Sequence, residues 1–344
     1  MALEHDAWIE EVFGIRMAEA LAAASASTAD GAGDTDGPAS GQGRRPRRER
    51  AKPVPRAGIG PAQAKRAQAL LHKMLAADQK RVSDLLDQAK GPEKAYLTKA
   101  LASGRTAAEL VAFQARIAGK DHAWMENNLH LVGSTHGRGV KQQWESSCVP
   151  TTVEAMRGEL DPLYALCMNE SNPALTRADD TDATRLNPEL AADQKRKLVR
   201  GGGVATNRDT PGSGMGFDQI LADQAGATGL AFTERWVGPS AQGGQTVDQV
   251  LGEMDTSLKS GLPVPMRITT PGTKGGHAVL CTGFDKGPPR RYSIHDPWEG
   301  KTVIVTEDDI RNDKFTIAGW NHVSHIFQPS PKAGGKAKKR GGKP

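Results

Sequence analysis

Apolar side chains recur every three to four positions through residues 61–130, which is the spacing of helices with one buried face. The first apolar face runs from Leu70 to Leu86. We predict that this helix begins near Pro61, because proline is tolerated in a first helical turn. We expect it to end at Gly91, where a Gly-Pro pair also suits the start of the next helix.

A second break in this segment is Ser103-Gly104. Thr106 and Glu109 then have the spacing of a capping box, in which each side chain satisfies a backbone N–H at the helix start. We therefore expect residues 61–137 to form a helical segment, either a small bundle or a lid. The histidines of this segment are scattered, so no metal site is predicted there.

From about residue 138 the apolar residues alternate with polar ones, between glycines and prolines, as in strands. One long helix is expected here, because Thr246 and Gln249 form a second capping box and Gly261 follows the last apolar position. Strands are predicted over 262–269, 277–284, 291–296, 302–306 and 320–327. Helices first and an antiparallel sheet afterwards indicate an α+β fold.

Two details refine that pattern. Pro263 and Pro265 favour a sheet edge or the beginning of a strand, because proline cannot donate to the ladder. Thr306 is followed by acidic residues and is expected to open a short helix.

The two ends of the chain have little apolar character. Residues 5–23 have the spacing of a short amphipathic helix, whereas 24–60 are rich in Ala, Ser, Gly, Pro and Arg and are predicted to be a disordered linker. The predicted organisation is therefore a short helix plus basic linker (1–60), a helical segment (61–137), a folded α+β domain (138–330) and a disordered basic tail (331–344).

The net charge of +5 is unevenly distributed. Residues 44–66 carry nine basic side chains and one acidic side chain, and residues 331–344 carry six basic and no acidic side chains. Such arms can bind nucleic acid or an acidic partner, but solvated tails have the same composition, and nucleic-acid binding is only weakly indicated.

Cysteine usage and the N-terminus bear on location. Three cysteines without paired spacing argue against a disulfide framework and favour a reducing compartment. The N-terminus is acidic and lacks the apolar core of a signal peptide, and no apolar run reaches the length of a membrane span. We expect synthesis into the cytoplasm, with any export by a route that does not read such a signal.

The strongest candidate for chemistry is Cys148, in the stretch KQQWESSCVPTTVEAM. Ser146 and Ser147 are cap-type residues, so a helix is predicted to begin near the cysteine, where backbone N–H groups and the helix dipole favour a thiolate. Gln142, six residues earlier, is a candidate amide donor to an oxyanion, together with the backbone N–H of Cys148. Taken alone, Cys148 would be interpreted as an inert buried cysteine.

Two downstream residues change that interpretation. His277 opens an apolar strand after two glycines, which leave room for substrate and for an exposed imidazole, and Asp296 ends the strand RYSIHD before a D-P turn. A strand-end carboxylate beside a strand-start imidazole holds a general base in one tautomer. Each has an ordinary alternative, a core histidine and a turn-capping aspartate. They lie 129 and 148 residues after Cys148, which suits the spacing of papain-type chains.

Four features together resemble the papain-like cysteine proteases, and most of all their bacterial C39-like branch. They are the glutamine six residues before the cysteine, the helix that starts at the cysteine, the strand GGHAVLCTGFD and the turn YSIHDPWEG. The resemblance covers about residues 138–328. It implies a papain-like fold with Cys148 as nucleophile, His277 as general base and acid, Asp296 as orienter and Gln142 as oxyanion donor, with no metal or organic cofactor.

The implied activity is proteolysis of a protein substrate. The layout resembles bacterial toxin effectors, which implies a cognate inhibitor (immunity) protein and contact between the N-terminal region and a secretion apparatus or chaperone. Two alternatives stay open: a deamidase, transglutaminase or other acyl transferase with the same three residues, and an inactive binding module with nucleic-acid-binding arms. His295 is expected to face away from the base, and Cys281 is expected to pack in the core.

Overall fold

The computed structural model describes residues 59–133, 139–171, 188–204, 216, 221, 229–239 and 242–331. The predicted helix over 5–23, the linker up to residue 58 and the tail after residue 331 lie outside these ranges. The described residues belong to one compact unit. They form ten helices and a six-stranded antiparallel sheet, which is an α+β fold.

Five described helices lie before residue 130. They are α1 (Pro61–Leu71), α2 (Ala76–Gln88), α3 (Gly91–Ser103), α4 (Ala107–Ile117) and α5 (His122–Asn128). The start at Pro61 is confirmed. The capping box is confirmed as well, since Thr106 Oγ1 accepts from the N–H of Glu109 and the Glu109 carboxylate accepts from the N–H of Thr106. Gly104 ends α3 in the left-handed conformation, with φ of 100°, which glycine adopts without strain.

The prediction of a single helix through Leu70 and Leu86 is wrong. The chain leaves the helix after Leu71 and re-enters it at Ala76, and Leu75 is 78% exposed instead of buried. The break lets α1 pack against α3 while α2 packs against α4, which one straight helix could not do. Tertiary packing therefore outweighs the local spacing of apolar residues here.

The core of the helical segment extends beyond residue 137. Buried residues of α1 to α5, such as Leu97, Leu110 and Phe113, form one apolar cluster with Leu163 and Leu166. Both leucines lie on a helix that follows the candidate cysteine in sequence. The helical segment and the following helices therefore share a buried interface.

The later helices are α6 (Cys148–Leu160), α7 (Pro162–Ser171), α8 (Pro188–Arg200), α9 (Val247–Lys259) and α10 (Glu307–Arg311). The predicted caps are confirmed for α9 by Thr246 with Gln249 and for α10 by Thr306 with Asp309. Helices α7 and α8 were not predicted from the sequence.

The strands are β1 (Leu230–Trp236), β2 (Val264–Thr269), β3 (His277–Asp285), β4 (Arg291–Asp296), β5 (Lys301–Thr306) and β6 (His322–Pro331). Their order is β1-β6-β2-β3-β4-β5, and all described pairs are antiparallel. The five predicted strands are confirmed, and β1 is additional.

β2 is a central strand, so the prediction of an edge is wrong while that of a strand beginning is confirmed. Pro265 is its second residue, and pairing with β6 begins only at Met266. The N–H that proline lacks is therefore not needed for that ladder.

Helices cover the sheet and position its central strands. Buried residues of α9, such as Leu251 and Met254, form one cluster with the side chains of β2 to β6, and Val279 and Cys281 of β3 belong to it. The intervening Leu280 points the other way and is fully buried too. Helix α6 packs directly against β3. No helix in the described ranges has both the length and the apolar composition that crossing a bilayer requires.

Candidate active site

Cys148 is the first residue of α6 and directly follows the segment 139–147. Neither preceding serine caps this helix, contrary to the expectation from sequence. Ser147 makes no cap hydrogen bond and its Oγ donates to the Trp144 carbonyl at 2.9 Å, while Ser146 Oγ donates to the Val204 carbonyl at 3.1 Å. Because no side chain occupies the helix start, its N–H groups are available to the sulfur.

The environment of Cys148 favours the thiolate. Burial would raise the pKa of this thiol, but the hydrogen bond and charge of His277 and the backbone N–H groups of Ala278 and Val149 outweigh burial and lower it. Val149 belongs to the first turn of α6 and Ala278 to β3. Cys148 as a residue is partly exposed, whereas Cys281 is fully buried.

His277, the first residue of β3, links the sulfur to a carboxylate. Its Nε2 lies 2.7 Å from Asp296 Oδ1, which leaves Nδ1 as the ring nitrogen for Cys148. Burial would lower the pKa of His277, but hydrogen bonds with Asp296 and Cys148 and their charges raise it to about 9. The imidazole is only 4% exposed, so the expectation of an exposed ring is wrong. The ring contacts Cys148 of α6 and Asp296 of β4.

Asp296 is held by two donors on one oxygen. Its Oδ1 also accepts from the backbone N–H of Trp298 at 2.9 Å, and the carboxylate is almost fully buried. Asp296 is the last residue of β4, which pairs with β3. The turn therefore fixes the carboxylate beside the imidazole.

The same turn holds the segment that leads to the cysteine. Gln142 N–H donates to the Pro297 carbonyl at 2.9 Å, and Gly139 N–H donates to the Gly300 carbonyl at 2.8 Å. Gly300 has φ of +64°, and a Cβ there would lie 2.7 Å from Lys141 Cγ. Glycine allows this close approach of the turn to Lys141. The turn after Asp296 is thereby held against the segment that leads to Cys148.

Gln142 lies in this segment, but the N–H groups of its side-chain amide are already used in other hydrogen bonds. Its Nε2 donates to the carbonyls of Trp144 at 3.0 Å and Glu145 at 2.8 Å, and its Oε1 is buried without a hydrogen-bond partner. A rotated amide would place Oε1 against two carbonyl oxygens, so the present orientation is favoured. Oxyanion donation by Gln142 stays a prediction that requires rearrangement of this amide.

The neighbouring histidine is engaged elsewhere. His295 is fully buried, its Nε2 donates to the Val140 carbonyl at 3.1 Å, and its Nδ1 accepts from the Gly133 N–H at 3.4 Å. These contacts hold the segment before Gln142 against β4.

The three cysteines differ in environment, and all are free thiols. Cys281 is fully buried in the core as expected, and burial raises the pKa of its thiol to about 12. Burial also raises the pKa of Cys167, against the opposing charge of Arg116. Only the pKa of Cys148 is shifted toward ionisation.

Sequence reasoning missed Gln194, a fully buried amide on α8 that contacts the segment carrying Gln142. Within PELAADQKRKLVR it resembles a solvated polar position, and no local pattern marks it as buried.

Two further observations bear on identity. Within the parts of the chain that the structure describes, no three His, Cys, Asp or Glu side chains are grouped so that they could hold a metal ion. Comparison of the chain with protein-family models and with curated protein sequences gives no match.

Proposed function

We propose that this chain is a cysteine protease in which Cys148, His277 and Asp296 act together. The observation that carries the proposal is the continuous contact from a cysteine at a helix start, through a buried imidazole, to a carboxylate 2.7 Å from that imidazole. A thiolate beside an imidazolium is the activated form of a cysteine nucleophile.

The architecture supports a papain-like arrangement. A helix that begins at the nucleophile packs against an antiparallel sheet, and that sheet carries the histidine and the aspartate on adjacent strands. This is the arrangement that the resemblance of the sequence implies.

The proposed reaction is acyl transfer to sulfur and then to water. The Cys148 thiolate attacks a peptide carbonyl and forms an S–C bond, and the C–N bond breaks as the imidazolium of His277 gives its proton to the leaving amine. Water then attacks the thioester and His277 takes the proton, which releases the acid and restores the thiolate. Asp296 holds the ring through Nε2 and stabilises its cation.

The test is a comparison of newly formed protein termini in cells that express the wild type, Cys148→Ala or Cys167→Ala. Cys167 is a partly exposed cysteine away from the site, so its variant controls for the loss of a thiol. We expect new termini with the wild type and Cys167→Ala, and none with Cys148→Ala. Identical terminus profiles for all three proteins would refute proteolysis.

The same measurement separates the alternatives. Replacement of a substrate NH₂ by OH without new termini would indicate deamidation, and a new isopeptide bond would indicate transglutamination. The effector role and a cognate inhibitor that covers Cys148 stay predictions.

A further inference from the structure

Gln194 on α8 is a buried primary amide whose hydrogen-bonding capacity is fully used close to the candidate site. It is fully buried and makes four hydrogen bonds, three of which reach the segment from Lys141 to Ser147. That segment carries Gln142 and ends directly before Cys148.

Two of these hydrogen bonds flank Gln142. Gln194 Nε2 donates to the carbonyl of Lys141 at 2.9 Å, and Gln194 Oε1 accepts from the N–H of Gln143 at 2.9 Å. The side-chain amide therefore pairs with the backbone as a neighbouring strand would. The N–H of Gln142 itself bonds the Pro297 carbonyl, so Gln142 is held from two sides.

The other two hydrogen bonds tie this arrangement to the nucleophile helix. Gln194 Oε1 lies 3.3 Å from Ser147 Oγ, and its Nε2 donates to Glu154 Oε2 at 3.1 Å. Ser147 directly precedes Cys148, and Glu154 lies on the same helix. The two backbone bonds fix the amide orientation, because the N–H of Gln143 must meet Oε1 and the carbonyl of Lys141 must meet Nε2. Only a primary amide supplies two donors and an acceptor at this place.

We propose that Gln194 is a positioning residue that fixes the backbone from Lys141 to Ser147 and thereby sets the thiolate character of Cys148. This inference rests on the proposed function. Without the amide, the carbonyl of Lys141 and the N–H of Gln143 lose their partner, and the start of α6 is free to move away from β3. The contacts of the sulfur with His277 and with the N–H of Ala278 then weaken, because His277 and Ala278 belong to β3.

The test measures the rate of Cys148 alkylation by iodoacetamide against pH, with the labelled peptide identified by mass spectrometry. We compare the wild type with Gln194→Met, which keeps the side-chain length and removes both donors and the acceptor. Gln63→Met is the control, since Gln63 is also a buried glutamine but lies on α1. Labelling by an epoxide-type cysteine-protease probe is measured in parallel.

For Gln194→Met we expect the alkylation midpoint to rise by about one pH unit, with a rate about tenfold lower below the midpoint. Gln63→Met keeps the wild-type midpoint even where it lowers the melting temperature. If Gln194→Met does not fold, Gln194→Asn retains the amide with a shorter reach and shifts the midpoint in the same direction by less.

The outcomes separate the two proposals. An ordinary midpoint in the wild type, with no probe labelling of Cys148, refutes the proposed function. A low midpoint in the wild type that Gln194→Met and Gln194→Asn leave in place refutes the positioning role alone.

Discussion

Two buried histidine–carboxylate pairs lie near opposite ends of α6. At the first end, His277 Nε2 lies 2.7 Å from Asp296 Oδ1, and at the second, His130 Nδ1 lies 2.8 Å from Glu159 Oε1. The imidazoles are 4% and 6% exposed. Geometry and burial of the pair therefore do not distinguish the candidate site from its counterpart.

The third partner distinguishes them. His277 contacts the thiol of Cys148 at the N-terminus of α6, whereas the remaining nitrogen of His130 lies 2.8 Å from the phenol oxygen of Tyr96. A helix N-terminus stabilises an anion, and a C-terminus, where Glu159 lies, does not. A histidine–carboxylate pair becomes a candidate for catalysis here only because the imidazole also contacts a cysteine at a helix N-terminus.

The largest expected effect is the difference between alanine variants of the two histidines. His277→Ala should lower kcat/KM by about 10³-fold, because it removes the proton carrier and the partner of the thiolate. His130→Ala should instead remove a close partner of the buried Glu159 carboxylate, which costs about 3 kcal/mol in the free energy of unfolding. Kinetics and chemical denaturation of both variants measure this, and an equal loss of kcat/KM per folded molecule would remove the distinction between the pairs.

The carboxylates provide the next contrast. Asp296→Ala should lower kcat/KM by about 10²-fold, since His277 keeps its chemistry but loses the contact that orients its ring. Glu159→Ala should reduce thermal stability with little change in kcat/KM per folded molecule. Full activity in Asp296→Ala would show that the ring is oriented by another group.

The pH dependence of kcat/KM provides a further contrast between the two histidine–carboxylate pairs. The pKa of His277 is raised to about 9 and that of Cys148 is lowered, so the imidazolium and the thiolate coexist between the lowered pKa of Cys148 and about pH 9. We expect kcat/KM to fall as the pH rises through about 9, where the imidazolium loses its proton, and to fall at acid pH, where the thiolate gains one. His130→Gln should leave both limbs in place. A profile with no alkaline limb near 9 would contradict the ion pair.

The smallest expected effect is at His295, which adjoins Asp296 in sequence but contacts the backbone of Gly133 and Val140. His295→Ala should cost about 1–3 kcal/mol of stability, because two buried polar groups lose their partner. Its kcat/KM per folded molecule should stay close to wild type. A loss as large as that of Asp296→Ala would mean that the orienting residue has been misassigned.

Local signals in the sequence predicted much of the fold. The capping boxes at Thr106 and Thr246 and the short helix after Thr306 are confirmed, because each cap depends on residues only three positions apart. The five predicted strands are confirmed as well, because a strand pattern is also a local property of the sequence. Both faces of β3 and β4 are buried, however, so burial of a single face does not account for these two strands.

The packing of elements far apart in the chain determined the features that these local signals did not predict. The break after Leu71, the central place of β2 and the burial of His277 all depend on which elements pack together. Gln194 is the clearest case, since a glutamine among charged residues resembles a surface position until α8 lies against the segment before Cys148.

The sequence by itself determined the α+β class, the capped helix starts, five of the six strands in the described residues and the choice of Cys148, His277 and Asp296 as candidates, because caps, strand patterns and motif context are short-range properties. Only the tertiary structure decided that the imidazole is enclosed, that the amide of Gln142 is turned toward Trp144 and Glu145, and that Gln194 supports the nucleophile segment. Hydrogen bonds between residues far apart in the chain exist only once packing has excluded water and brought their partners within about 3 Å.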